Sequence, residues 1–277
     1  MPNAKDVKGI QPHKFLMLGS TGTGKTAQIL TLPGKKFVYL FDPNALLTLR
    51  GYDIDYEEFL PTGVSLDLQS LKKGKDGAAA AGDNVTGKRG SEVYMRWEQD
   101  FEEKKKSGFF DQYDVLGIDS CTTLLDLIMD RMLTINGRPG TFPQQDDWGP
   151  QMVAFTNIMR ELTGLGKMIY LTGHLKMDKD ELTQRVFRAP LFTGQLREKI
   201  PLLFSDIFVT EASTDDKGKV SYVIRTTPDR YGTPIRTSIK GLESVENVTI
   251  DWSKQAVGQG LGGILNWEQK NLEIKND

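Results

Sequence analysis

Cysteine is almost absent. Cys121 is the only one in 277 residues, which excludes a disulfide framework and any zinc site built from cysteines. A reducing cytoplasm is the expected compartment. Histidine is nearly as scarce, at two residues, His13 and His174. No excess of charge exists either. The 35 basic and 37 acidic side chains leave a formal net charge of −2, so nucleic acid would have to be met by a local basic patch rather than a global field. No apolar run approaches the ~20 residues that span a bilayer. Residues 1–11 are polar and lack the apolar core of a signal segment, so no membrane partner is expected. The hydrophobic share of 38% is ordinary and is enough to fill a core at this length.

One motif stands out. Gly19-Ser-Thr-Gly-Thr-Gly-Lys-Thr26 reads G-x-x-x-x-G-K-[ST], the phosphate-binding loop of nucleoside-triphosphate-binding proteins. Its glycines let backbone N–H groups turn inward as a nest for phosphate oxygens. Lys25 would reach the β- and γ-phosphates and the Thr26 hydroxyl would hold Mg²⁺. The expected nucleotide contacts are therefore Gly19, Ser20, Thr21, Gly22, Thr23, Gly24, Lys25, Thr26 and Ala27, with ATP and Mg²⁺ as cofactors. The flanks agree. Phe15–Leu18 is an apolar run fit for a buried strand, and Thr26–Leu32 reads as a short helix stopped by Pro33-Gly34.

Further along, Lys36–Phe41 reads as a second buried strand ended by Asp42-Pro43. Residues 53–69 show no period, and 74–90, rich in Gly, Ala, Asp and Lys, suggest a flexible surface loop. Glu92–Lys106 is helical, with Val93, Trp97 and Phe101 spaced by four. Tyr113–Ser120 is a strand followed by an amphipathic helix through Leu124, Ile128 and Met132. After a loop at 136–149, Pro150 is expected to start a helix running to Leu162. Met168–Thr172 is a strand, Leu175–Arg188 a charged loop, and Leu196–Phe204 a helix. Ile207–Thr210 and Val220–Thr226 read as a hairpin pair. The glycine-rich end, 253–277, reads as a loosely attached tail beyond a core of residues 1–252. Strands alternating with helices predict an α/β fold, a mostly parallel central sheet with helices on both faces.

A nucleotide site of this kind needs an acid at the end of a neighbouring strand. Asp119, after Val115–Ile118, fits and would contact Mg²⁺ directly or through water. The attacking water also needs a partner. Asp42 and Asn44 end the second strand, and His174 ends the strand after Thr172, where a γ-phosphate sensor belongs. His13, ahead of the first strand, has no evident role.

From Lys14 to Arg236 the order of parts resembles the RecA-type recombinase core, and more closely the short RecA-like ATPases of bacteriophages that anneal single strands. Met168-Ile-Tyr-Leu-Thr-Gly-His174 matches the strand ending in a γ-phosphate sensor, for which the short phage proteins commonly use His. The loops at 136–149 and 175–193 match the family's two DNA-binding loops. Pro228-Asp-Arg-Tyr-Gly-Thr-Pro234 resembles the segment that gives a cation to a neighbour's ATP, so the resemblance makes Arg230 a finger acting in trans. One position departs. The recombinases carry a catalytic Glu two residues after the acid ending the second strand, and this chain has Asn44 there, an amide that can position a water but is a poor base.

The resemblance implies a RecA-like P-loop NTPase and a Mg-dependent, DNA-stimulated ATPase of phage recombination or replication, at work in the host cytoplasm. Single-stranded DNA, a ring or filament of copies, and a single-strand DNA-binding protein are the partners it implies. The DNA contacts would be Arg138 and Phe142 in the first loop and Lys176, Lys179, Arg185 and Arg188 in the second, with Trp148, Phe187 and Phe192 as further rings. Cations following phosphates beside rings that stack on bases suit a single strand. Taken alone, the second loop, diluted by Asp178, Asp180 and Glu181, is equally a solvated surface. A motor or loader ATPase, a non-hydrolysing ATP-bound scaffold and a small-substrate phosphotransferase stay open as alternatives.

Overall fold

A computed structural model describes residues 12–60, 85–181 and 183–274. Five strands run parallel with β1 (Lys14–Gly19): β2 (Lys36–Leu40), β3 (Asp55–Glu58), β4 (Val115–Asp119), β5 (Met168–Lys179) and β7 (Asp206–Thr214). Their order is β3-β2-β4-β5-β1-β7. β8 (Val220–Arg225) and β9 (Val245–Asn247) extend the β7 side antiparallel, and β6 (Val186–Pro190) folds back on the far end of β5.

The strands read as unbroken apolar runs because both faces of the sheet are covered. Their period of two splits them cleanly. Leu16, Leu18, Leu116, Ile118, Ile169 and Leu171 face one core, while Phe15, Met17, Val38, Leu40, Tyr170 and Phe208 face the other. Three long helices cover the first face: α3 (Val85–Lys106), α4 (Cys121–Ile135) and α5 (Gln145–Gly164). Trp97 and Phe101 of α3, Leu124 and Ile128 of α4, and Phe155 of α5 are buried there, each worth about 1.5–3 kcal/mol. The second face is covered by α1 (Lys25–Gln28), which tightens into a 3₁₀ turn at Ile29–Thr31, by α2 (Ala45–Leu49), and by α7 (Gly260–Ile274). A short helix α6 (Leu196–Lys199) links β6 to β7.

Several expectations are corrected. The charged stretch after His174 is a β-hairpin: β5 continues to Lys179 and pairs with β6, Lys179 opposite Val186. Leu175 still packs against the core, but the strand projects beyond it, so the row of Leu175 and Met177 ends in Lys179 and the alternation is too short to stand out. Helix α5 begins five residues before Pro150. Gln144 and Asp147 form a capping box, and Pro150 is carried inside the helix. β3 is an exposed edge strand whose Asp-Tyr-Glu-Glu sequence has no hydrophobic signature. Of the segment 74–90 read as a loop, 85–90 opens α3, and 74–84 lies outside the described residues, as do 1–11 and 61–73.

The C-terminal segment is no loose tail. Leu261 and Leu265 are buried in the second core. Gln28 Oε1 accepts from Leu261 N at 3.0 Å, and Thr31 Oγ1 accepts from Gly262 N at 3.0 Å. A Cβ on Gly262 would collide with the Thr31 carbonyl. Glycine here permits close backbone approach rather than flexibility.

Candidate nucleotide site

Parallel register carries the ends of β1, β2, β4 and β5 to one edge of the sheet. Gly19 lies opposite His174 and Leu40 opposite Asp119. Phe41 N and Asp42 N both donate to the Asp119 carbonyl, at 2.6 and 3.2 Å, which clips the two acidic strand ends together. Around this edge a cavity of about 400 Å³ is lined by the loop from Thr21 to Gln28, by Asp42, Asn44, Asp119 and His174, and by Tyr222 and Trp252.

The loop is held open by its glycines. Gly24 sits at φ +85°, a left-handed conformation, with the Tyr222 ring 3.2 Å from where a Cβ would stand. Thr23 Oγ1 is tied to the Ser20 carbonyl at 2.8 Å and to Thr210 Oγ1 at 2.6 Å. Lys25 is 7% exposed, and its ammonium donates to the carbonyls of Gly19 and Ser20 at 3.0 and 2.7 Å. Burial pulls its pKa below the ordinary lysine value, against the opposing pull of Asp119 and Asp42. An ammonium in this cradle, with a donor to spare, fits a polyphosphate.

Asp119 is buried at the wall of the cavity. Thr26 Oγ1 donates to Oδ2 at 2.6 Å, and the Thr172 hydroxyl donates to Oδ1. Burial raises its pKa, assisted by the nearby Asp42 charge and opposed by the two hydroxyls and Lys25. A hydroxyl beside a carboxylate is the hard-oxygen donor set of a magnesium ion that takes its other ligands from phosphate and water. No cluster of three or more His, Cys, Asp or Glu able to hold a metal occurs among the described residues. Thr26 and Asp119 fit such an ion, which would supply charge neutralisation there.

Asp42 has a different setting. Ser120 Oγ donates to Oδ1 at 2.8 Å, and the Thr123 hydroxyl donates to the same oxygen. Oδ2 lies 3.4 Å from His174 Nε2. Burial opposes its charge, yet the hydrogen bonds from His174, Thr123 and Ser120 and the imidazole's field hold its pKa below the ordinary value. The His174 backbone N–H is fixed by Thr122 Oγ1 at 3.1 Å. Asn44 is exposed at φ 68°, at the head of α2, and its side chain does not cap that helix.

The remaining expected residues are spread out. Arg230 is exposed, is not among the residues that line the cavity, and donates to the Tyr231 hydroxyl at 2.6 Å. Arg138 is bound to both oxygens of the buried Asp147, at 2.7 and 2.8 Å, where it braces the start of α5. Lys176 pairs with Asp178, and Arg188 with Glu211 over the Tyr231 ring. Phe142 is 85% exposed, whereas Phe192 packs against Phe155 in the core and is not free to stack on a base. Lys179 and Arg185 are exposed on the hairpin.

His13, read as without a role, is buried between Asp206 at 2.7 Å and Glu268 of α7 at 2.9 Å. Thr172 and Thr210 were missed although Thr172 shares a strand face with His174, two residues on. Tyr222 and Trp252 carried no local signal, since only folding brings them beside a loop some 200 positions away.

A family profile described as "AAA domain" matches residues 11–231. No curated protein matches. Among solved structures, the chain is similar to a KaiC-like protein from the hyperthermophilic archaeon Pyrococcus horikoshii OT3, at 12% identity and TM-score 0.43 over 86% of each chain. It is also similar to the flagellar accessory protein FlaH from Methanocaldococcus jannaschii, at 13% identity and TM-score 0.38 over 87% of each. The chain belongs to the AAA-domain family, and its core is a mostly parallel α/β sheet with the phosphate-loop sequence at the end of β1. No described helix is long and apolar enough to cross a membrane.

Proposed function

We propose that this AAA-domain chain binds and hydrolyses Mg·ATP and uses the nucleotide state to control its grip on single-stranded DNA. The observation that carries the ATPase reading is convergence. The phosphate loop, the Lys25 ammonium, the Thr26–Asp119 pair and the Asp42–His174 pair all open on one cavity at one sheet edge. Lys25 would bind phosphate, Thr26 and Asp119 would carry the magnesium ion, and His174 would contact the γ-phosphate. Tyr222 and Trp252 give the same cavity an aromatic wall suited to a nucleobase.

The DNA reading is supported by continuity. β5 carries His174 at the cavity and, five residues on, Lys179 on the exposed hairpin, opposite Val186 and one residue before Asp180, whose N–H donates to the Arg185 carbonyl. A change at the γ-phosphate could therefore move or order the hairpin. Arg230, exposed and not among the residues that line the cavity, suits donation to a neighbour, and such head-to-tail contacts build rings or filaments. In this reading the work is annealing or strand exchange in phage recombination or replication, beside a single-strand DNA-binding protein in the host cytoplasm. A non-hydrolysing scaffold is favoured by Asn44 at the position where the recombinases carry Glu.

The test is ATP turnover with and without single-stranded DNA, with Lys25→Ala as the blank. Stimulation by DNA that is lost in a Lys179→Ala/Arg185→Ala double variant supports the coupled reading. Turnover indifferent to DNA, together with unchanged DNA affinity on adding ATP, removes it. ATP retained without turnover selects the scaffold.

A further inference from the structure

Hydrolysis needs a group that holds the attacking water, and the two carboxylates at the sheet edge are not equivalent. Both oxygens of Asp119 are occupied by threonine hydroxyls. Asp42 is half-occupied. Its Oδ1 is anchored by Ser120 and Thr123, which fixes the carboxylate plane. Among the described residues, Oδ2 has only the 3.4 Å contact with His174 Nε2, at the long limit of a hydrogen bond. The side chain is 23% exposed and lines the cavity. Asn44 is a neutral amide on an exposed turn, with no bond that orients its side chain as a cap.

Resting on the ATPase reading above, we propose that Asp42 Oδ2, rather than Asn44, holds and deprotonates the attacking water. His174 occupies that oxygen until its imidazole turns to the γ-phosphate. Giving up a 3.4 Å contact for a water costs little, because the contact is already weak. The water oxygen then bonds to the γ-phosphorus as the bond from that phosphorus to the β–γ bridging oxygen breaks. ADP leaves with that electron pair, inorganic phosphate is the other product, and the water's proton passes to Asp42 Oδ2 and on to solvent. The anchored oxygen keeps the acceptor aimed, so no reorganisation is needed as charge moves.

The test separates binding from turnover in Asp42→Asn, which keeps the shape of the side chain. The expected result is a fall in kcat of about 10²-fold or more, with affinity for a fluorescent ATP analogue within about threefold of the parent. Asn44→Ala loses less. Should Asp42→Asn fail to bind nucleotide, Asp42→Glu decides. Retained binding with turnover well above that of an Asp42→Ala variant supports the carboxylate's role, and turnover no better than Asp42→Ala overturns it. Parental turnover in Asp42→Asn, or a larger loss in Asn44→Ala, also overturns it and leaves the ATPase reading intact. A parent that binds ATP but turns over no faster than Lys25→Ala removes hydrolysis itself, and this inference with it.

Discussion

Two buried polar clusters sit at opposite edges of the same sheet, and their saturation differs. Below the amino ends of β1 and β7, every oxygen position of Asp206 is filled. Oδ2 accepts from His13 at 2.7 Å and Ser205 at 2.6 Å, and Oδ1 accepts from Thr237 Oγ1 at 2.8 Å and Ser238 N at 2.7 Å. At the carboxyl edge, Lys25 rests on two backbone carbonyls and Asp42 keeps one oxygen almost free. Burial acts against the charge in both places. It is overcome at Asp206, whose pKa the hydrogen bonds from His13, Ser205 and Ser238 carry down to about 2, and at Asp42, which His174, Thr123 and Ser120 hold below its ordinary value, but not at Asp119, whose pKa burial and the neighbouring Asp42 charge keep raised. A buried charge with all its partners supplied by the fold stabilises the fold, whereas charges left short of partners around a cavity are partners for a ligand.

The comparison can be broken from either side. The largest effect is expected at Asp206→Asn. Removing one partner of a buried pair costs about 3–5 kcal/mol, read as a lower urea midpoint at unchanged slope, while ATP affinity per folded molecule holds. A turnover defect at unchanged stability would put the two clusters on one function. Next, Lys25→Ala should lower turnover about 10²–10³-fold, equivalent to about 3–4 kcal/mol, with stability retained or raised, since a poorly partnered buried ammonium is lost. Marked destabilisation would show Lys25 to be structural.

The pH dependence of folding sharpens the contrast. The folded pKa of Asp206 lies below its unfolded value of 3.8, so its contribution, about 2 kcal/mol, is present above pH 3.8 and lost as pH falls through about 2. His13 shifts the other way. Burial disfavours its charge, but the hydrogen bonds and charges of Asp206 and Glu268 win, raising its pKa above 6.5. Its contribution is complete below pH 6.5 and is lost as pH rises through the raised value. Urea midpoints should therefore drop from pH 6 into the alkaline range, and His13→Gln should flatten that limb. The smallest effect is expected at Glu268→Gln, which keeps an acceptor for His13 and should cost about 1 kcal/mol, seen as faster amide exchange in α7 with the sheet unaffected.

Legibility followed locality. The phosphate loop was readable because eight contiguous residues carry its backbone geometry and its lysine. The buried strands were readable because enclosure on both faces makes them unbroken apolar runs. β3 and the β5–β6 hairpin were not, since an edge or projecting strand has too little buried face to imprint a period. Proline misled at position 150, where the capping box of Gln144 and Asp147, braced by Arg138, starts the helix earlier than the proline does. Glycines misled at the C-terminus, where Gly262 serves contact with Thr31.

The amino-acid sequence alone determined the phosphate loop, the parallel α/β architecture and the two acidic strand ends, because each is written in neighbouring residues. Only the tertiary structure decided that His13 ties α7 to the sheet, that Arg138 is committed to Asp147, and that Tyr222 and Trp252 wall the cavity. It alone set Asp42, with its one open oxygen, against His174. These depend on contacts between residues 9 to 255 positions apart, and burial, charge pairing and hydrogen-bond saturation exist only once such residues meet.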